Sequence, residues 1–190
     1  MSLPEERRYT LADALAWDGR ERIELIDGHP VMMAPPSRVH QAISGELFGQ
    51  FWAYLRGKNC KVYHAPFAVR LFEESGEPPE SVDTLVEPDL VVVCDPDKLD
   101  DMGCRGAPDL VIEILSPSTR RHDRMTKFNL YQQAGVREYW IVDPDSQDVQ
   151  VFVLEGGRYF VRGYGTAEGS LKPSVLEDCT IDLSLVFSSQ

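Results

Sequence analysis

The sequence predicts a mixed α/β fold, a sheet flanked by helices with a β-hairpin near the C-terminus, and three observations carry that prediction. Leu90-Val-Val-Val-Cys94 and Leu110-Val-Ile-Glu-Ile-Leu115 are nearly continuous β-branched runs, the pattern of central strands covered on both faces. Helical periodicities lie before and after them, so helix and strand are mixed along one chain. With 190 residues, 43% apolar and no internal repeat, the chain fits one compact domain over residues 1–190.

The elements follow in order. Thr10-Leu-Ala-Asp13 before an Ala/Leu/Trp stretch predicts a capped short helix to about Trp17. Arg22 to Ile26 and Val31 to Ala34 are extended runs around Asp27-Gly28, a strong hairpin signal, and Pro30 confines the second run to an edge. Pro35-Pro36-Ser37 breaks the chain. From Ser37 to about Gly57 the apolar residues Val39, Ile43, Leu47, Phe51 and Leu55 recur every four positions, the stripe of a long amphipathic helix. Lys61 to Leu71 reads as strand. Glu73 to Ser81, with two Pro, one Gly and four Glu, reads as an exposed loop. Ser118 or Thr119 caps a helix that runs to Ala134 and stops at Gly135. Glu138 to Val142 is a further strand, and Asp143-Pro-Asp-Ser a turn. Val149 to Leu154 and Tyr159 to Tyr164, joined across Glu155-Gly-Gly-Arg158, form a terminal hairpin.

Composition excludes several classes of function. With 31 acidic and 19 basic side chains the net charge is −12, which argues against broad adhesion to nucleic acid or acidic lipid but leaves room for a local basic groove. The apolar runs fall far short of the ~20 residues of a membrane helix. The N-terminus lacks the apolar core of a signal peptide, so the expected compartment is the cytoplasm. Cys60, Cys94, Cys104 and Cys179 are then expected as reduced, buried thiols, and no C-x-x-C pair suggests zinc.

Three acids stand out. Strand alternation puts Asp109, Val111, Glu113 and Leu115 on one face, so Glu113 is a carboxylate in a strand that is otherwise dry, where an unpaired ion is costly. Asp89 stands at the mouth of the other buried run, and Glu24 interrupts Ile23-x-Leu25-Ile26. Two carboxylates ~4 Å apart repel by about 4 kcal/mol at a surface-like dielectric, so convergence needs a cation or a bound proton. Oxygen-only ligands favour Mg²⁺ or Mn²⁺. The competing reading pairs Glu113 with an arginine of the following helix and leaves Asp89 as a turn cap.

Glu87-Pro-Asp89-Leu-Val-Val-Val, followed by Pro108-Asp-Leu-Val-Ile-Glu113-Ile-Leu, resembles the PD-(D/E)xK pattern of restriction-endonuclease-like proteins. More specifically, the chain resembles the Uma-two family of restriction-endonuclease-like bacterial proteins. The matching stretches are Ile23 to Gly28, Pro35-Pro-Ser-x-x-His40, Glu87 to Cys94, Gly106 to Thr119, and Gly135-Val-Arg-Glu-Tyr-Trp-Ile-Val-Asp-Pro144. The resemblance implies a restriction-endonuclease-like mixed sheet flanked by helices, with the acids carried onto Glu24, Asp89 and Glu113. One departure is plain: where a lysine should follow the second acid, Leu115 stands. A substitute is expected from the next helix, where Arg120, Arg124, Lys127 and Tyr131 fall at i, i+4, i+7 and i+11. Lys127 is the choice, since a single ammonium can point at a metal-bound water or a phosphate oxygen. An i,i+4 pair of Asp123 with Lys127 on a solvated helix is the alternative.

The expected activity is Mg²⁺-dependent phosphodiester hydrolysis, with DNA as the expected nucleic acid, Glu24, Asp89 and Glu113 as ligands and Lys127 on the attacking water. His40, at the start of the long helix, and Arg120 and Arg124, part of the densest basic patch, are the expected substrate contacts. The rival is a nuclease fold without chemistry, serving as a nucleic-acid-binding or assembly module. A third reading is a small-molecule metallohydrolase. Ser116 and Ser118 read as capping residues and Gly156-Gly157 as a hairpin turn. A homodimer is expected from the apolar Met32-Met33 edge and from the need to reach two strands.

Overall fold

The structure, a computed structural model, describes residues 7–17, 22–117 and 119–188. Ser118 and the first six residues, on which the sequence reading also drew, lie outside that description. Helix α1 (Leu11–Ala16) starts on a capping box in which Thr10 and Asp13 exchange hydrogen bonds. Strands β1 (Ile23–Ile26) and β2 (His29–Met32) then form a two-stranded hairpin. Asp27 and Gly28 both take positive φ, 48° and 74°, as a tight hairpin turn requires. Helix α2 (Arg38–Leu55) follows, its N-terminus capped by the Ser37 hydroxyl, which accepts the His40 N–H at 3.2 Å.

The predicted strand from Lys61 to Leu71 is instead two, β3 (Lys61–His64) and β4 (Val69–Arg70), in different sheets. The division falls at Pro66, which has no N–H to give a ladder. After the exposed loop come β5 (Leu90–Val93), β6 (Leu99–Asp100), β7 (Gly103–Arg105) and β8 (Leu110–Ile114). The following helix begins on Ser116, whose hydroxyl accepts the Thr119 N–H while the Thr119 hydroxyl accepts that of Ser116, each at 3.2 Å. It contains a π-helical stretch, His122–Lys127, before α3 (Phe128–Ala134) and the left-handed Gly135. The predicted hairpin is β10 (Asp148–Glu155) and β11 (Arg158–Thr166), preceded by β9 (Glu138–Asp143). Last come β12 (Ser170–Leu171), β13 (Ile181–Asp182) and α4 (Leu183–Phe187).

The central sheet has six strands in the order β11-β10-β9-β8-β5-β3, antiparallel except for β8 and β9, which run parallel. That parallel step needs the long crossover through α3. Both faces are covered. On one, Ile43, Leu47, Phe51 and Leu55 of α2 join Leu90, Val92, Leu110, Ile112 and Ile114, and α4 adds Leu183, Val186 and Phe187. On the other, Leu130 and Tyr131 of α3 pack on Val91, Val93, Val111, Leu115 and Ile141. The β-branched runs are thus dry on both sides, as their composition predicts. Among the described residues no helix is long and apolar enough to cross a membrane.

The expectation of four free thiols is corrected. Cys60 and Cys94 form a disulfide, while Cys104 and Cys179 are free and buried. The register pairs Lys61 with Val93, which sets Cys60 directly across from Cys94. That partnership spans 34 residues and is invisible to motif spacing.

Two features of the frame are directly testable. Gly103, at φ +123°, lies so close to the Ala68 carbonyl that a Cβ would stand 2.1 Å from its oxygen. Gly103→Ala should therefore lower stability by about 2 kcal/mol, read as a shifted urea midpoint with unchanged slope. Secondly, Arg120 forks onto the Asp143 carboxylate at the end of β9, with Arg124 adding a contact at 3.3 Å. Burial pushes the Asp143 carboxyl up, but the Arg120 guanidinium and the backbone N–H groups of Asp145 and Ser146 outweigh it and hold it below the usual range. Stability from a depressed carboxyl is present above its unfolded pKa and lost as pH falls through the folded one. Arg120→Ala should cost about 1 kcal/mol at neutral pH, discounted for the half-exposed guanidinium. The deficit should shrink in melts taken progressively below about pH 4.

Candidate active site

Antiparallel pairing of β5 with β8 puts Leu90 across from Ile112, so the next pair outward is Asp89 with Glu113. Asp89 is locked there because its Oδ2 accepts the Ile114 N–H at 2.7 Å. The same oxygen meets His40 Nε2, from the first turn of α2, at 3.1 Å. Glu24 arrives from β1, which is tied to the chain before β5 by reciprocal 2.7 Å bonds between Leu25 and Leu85. Its Oε1 accepts the Glu87 N–H at 2.9 Å.

The helical crossover supplies the cation. Lys127 Nζ donates to Glu24 Oε1 at 2.8 Å and to Glu113 Oε1 at 2.9 Å, and lies 4.0 Å from Asp123 Oδ1. The Tyr131 hydroxyl donates to the same Glu113 oxygen at 2.6 Å. Glu24, Glu113, Asp123, Lys127 and Tyr131 are all buried. Leu115, where the ordinary pattern would carry the lysine, is packed in the core, and the ammonium reaches Glu113 from the helix instead.

Three acids, Glu24, Glu113 and Asp123, face one ammonium, and Asp89 lies across the strand pair from Glu113. Burial, opposed by Lys127 and reinforced by Asp123, Asp89 and Glu24, pushes the Glu113 carboxyl up to about 8. Asp123 is raised as well, burial again leading. Burial works against the charge of Lys127, but Glu113, Glu24 and Asp123 overcome it and hold the ammonium protonated. Tyr131 is pushed well above 10 by burial and by Glu113, so it acts as a neutral donor. The surplus of hard oxygen donors suits a small divalent cation chemically. In geometry the carboxylates are gathered around the ammonium, and among the described residues no group of three His, Cys, Asp or Glu is set to grip an ion directly.

The structure thus brings Glu24, Asp89, Glu113, Lys127 and His40 to one place. Arg120 and Arg124 lie elsewhere, on Asp143, with Arg120 also 2.6 Å from Asp145 and Arg124 3.4 Å from Gln150. Their separation from Lys127 follows from the π-helical stretch. Its wider turn rotates Lys127 out of the row that a regular α-helix would make. Two members of the cluster go beyond the predicted site: Tyr131 carries no assigned role in the sequence, and Asp123, expected there only as a partner of Lys127 on a solvated helix, is buried with it 4.0 Å away. Their signal was their spacing, four residues before and after Lys127.

An uncharacterized protein of Synechocystis sp. is 29% identical over 141 residues, 73% of this chain and 70% of that protein. A crystal structure from Anabaena variabilis, described as a putative nuclease belonging to DUF820, matches with a TM-score of 0.72. The match covers 94% of this chain and 97% of that one at 20% identity, so the two share a fold. The Uma2 family, described as “Putative restriction endonuclease”, matches residues 11–184, nearly the whole described chain, and the protein belongs to that family.

Proposed function

We propose that the protein is a Mg²⁺- or Mn²⁺-dependent nuclease that hydrolyses phosphodiester bonds in DNA. The observation that carries this reading is the buried lysine held between two carboxylates, with Asp89 opposite one of them across the strand pair. Asp89, Glu113 and Glu24 would hold the ion, which when bound supplies an activated water and stabilises the leaving oxygen. Lys127 keeps its proton and offers N–H donors to the attacking water or to a phosphate oxygen. Tyr131 fixes the Glu113 carboxylate, and the Ile114 N–H and His40 fix that of Asp89. His40, mostly buried, is placed by the Ser37 cap at the mouth of the cluster.

A second reading, a nuclease fold retained for binding, is favoured by the absence of a ready-made ion cage among the described residues. Metal-dependent cleavage of a labelled oligonucleotide separates the two. Under the nuclease reading, Lys127→Ala, measured where circular dichroism shows it folded, loses ~100-fold or more in cleavage rate, because the ammonium acts mainly in the transition state. Cleavage at the wild-type rate would remove Lys127 from the mechanism, and no cleavage by any variant would leave the binding reading.

Asp89→Asn provides a test that needs no substrate. Asparagine can still accept the Ile114 N–H, but it removes one charge from a crowded set of acids, so without metal the variant should melt above the wild type. In saturating Mg²⁺ the order should invert. The wild type gains about 2.7 kcal/mol at a hundredfold excess over Kd, and a protein that has lost a ligand gains much less. Equal destabilisation in EDTA and in MgCl₂ would leave Asp89 only a structural acceptor for the Ile114 N–H.

A further inference from the structure

The flank between α2 and β3 carries chemistry that the acid cluster does not use. Phe48 and Trp52 stand at i and i+4 on α2, and Arg56 is the residue at its C-cap. Phe48 meets the His64 ring edge-on at 4.7 Å and stacks with Trp52 at 5.9 Å. Trp52 is 53% exposed, and with Arg56, Lys61, Leu55 and Val62 it lines a cavity of about 330 Å³. β3 is the outermost strand of the sheet on this side.

Basic residues concentrate here, with the Glu177 backbone carbonyl, which accepts the Tyr54 hydroxyl, on the Lys58 side. Arg56, Lys58 and Lys61 fall within six residues, and no described carboxylate forms an ion pair with any of them. Lys61 gives one N–H to the Lys58 carbonyl at 2.7 Å and keeps two further donors, while Lys58 lies over the Tyr54 ring. The acid of this helix, Glu46, is on the opposite flank with Gln50, which bonds to the Asp182 backbone.

The flank is also continuous with the acid cluster. His64 pairs with Leu90, the Ala65 N–H donates to the Asp89 carbonyl at 3.0 Å, and His40 of α2 touches the Asp89 side chain. From His40 to Trp52 the helix rises ~18 Å. A row of aromatic rings ending in a cationic cavity therefore leads away from the proposed cleavage site.

We propose that this flank binds a single strand of nucleic acid, one base lying on the Trp52 indole and phosphates on Arg56 and Lys61. An exposed indole beside unpaired cations is what strand-tracking grooves use, because every base has a face to stack while phosphates run past. A duplex keeps its base faces stacked inside and cannot offer them to Trp52. A second copy of the chain fits less well, since a two-fold contact sets the patch against itself and would bring the three cations together. The link to cleavage rests on the nuclease reading, whereas the binding does not.

The test is fluorescence anisotropy in EDTA with labelled oligothymidylate of about 15 nucleotides, a ribose counterpart and a blunt duplex of equal length. The single strands should bind at least tenfold more tightly than the duplex, and a difference between deoxyribose and ribose would name the source. Trp52→Ala should weaken single-strand binding roughly tenfold or more without moving the thermal midpoint. Arg56→Ala and Lys61→Ala should each flatten the dependence of log K on log salt by ~0.7. Single-strand binding unchanged in Trp52→Ala, or duplex binding of equal strength, would overturn the proposal. So would a dimer in light scattering that Trp52→Ala dissolves, which would give the face to a second copy. Intact Trp52-dependent binding with no cleavage in any divalent metal would uphold the track and sink the nuclease reading. Cleavage with Trp52-independent binding would do the reverse.

Discussion

The structure depends on one buried ion pair system, the Lys127 ammonium between Glu24 and Glu113. Removing such charges from water costs several kcal/mol per ion, and that cost is offset only if the partners meet at hydrogen-bond distance. The three residues come from β1, from β8 and from the helix that crosses to β9. Their meeting therefore fixes the small β1–β2 hairpin against the main sheet and sets the rotation of the crossover helix. Because the acids outnumber the cation, the arrangement is satisfied electrostatically only in part. The Glu113 carboxyl is accordingly pushed up, to about 8, by burial and by Asp123, Asp89 and Glu24 against the pull of Lys127. A fold that keeps such tension at one end of its central strands has placed there a group of donors that a positive charge would relax.

What was legible in the sequence is what depends on neighbours in the chain. The stripe Ile43, Leu47, Phe51, Leu55 and the turns at Asp27-Gly28 and Gly156-Gly157 are local patterns, and they appear where periodicity and turn chemistry put them. The dry runs around Leu90 and Leu110 were legible because burial on both faces removes the need for alternation. The nearness of Glu24, Asp89 and Glu113 followed from the cost of leaving acids unpaired in such runs. Illegible were the features set by pairing across long separations. The Cys60–Cys94 bond depends on the β3–β5 register. The return of the C-terminal segment depends on Gln50 bonding to Asp182 and on Glu138 accepting the Val175 N–H. Neither leaves a trace in spacing.

The π-helical stretch is the instructive intermediate case. Helical spacing correctly placed Lys127 and Tyr131 near one another but also aligned Arg120 and Arg124 with them. A π-turn inserts extra backbone per revolution at some cost in hydrogen-bond geometry, and such turns persist where a side chain needs redirecting. Here it turns Asp123 and Lys127 inward while the arginines reach Asp143 at the end of β9. A regular helix would set three cations in one row and leave β9 without its fastening. The irregularity sorts the basic residues of one helix between two tasks, one electrostatic centre and one structural tie.

The same sorting bears on how a chain of charge −12 could meet a polyanion. At physiological ionic strength exposed charges more than ~8 Å apart are largely screened, so what a phosphate experiences is the nearest few side chains rather than the total. Density of basic residues in the sequence is a poor guide to that local field, because an arginine held by carboxylates presents little net charge. Arg120 is held by Asp143 and Asp145, and Arg124 by Asp143. Arg56, Lys58 and Lys61 are sparser in sequence, yet none of them is ion-paired to a described carboxylate. The acids nearest the proposed cleavage site are mostly buried and partly answered by Lys127, which limits their reach outward. On the proposed reading a strand approaches along the helix α2 flank, where cations and an exposed indole coincide, while the negative total discourages contact elsewhere on the surface.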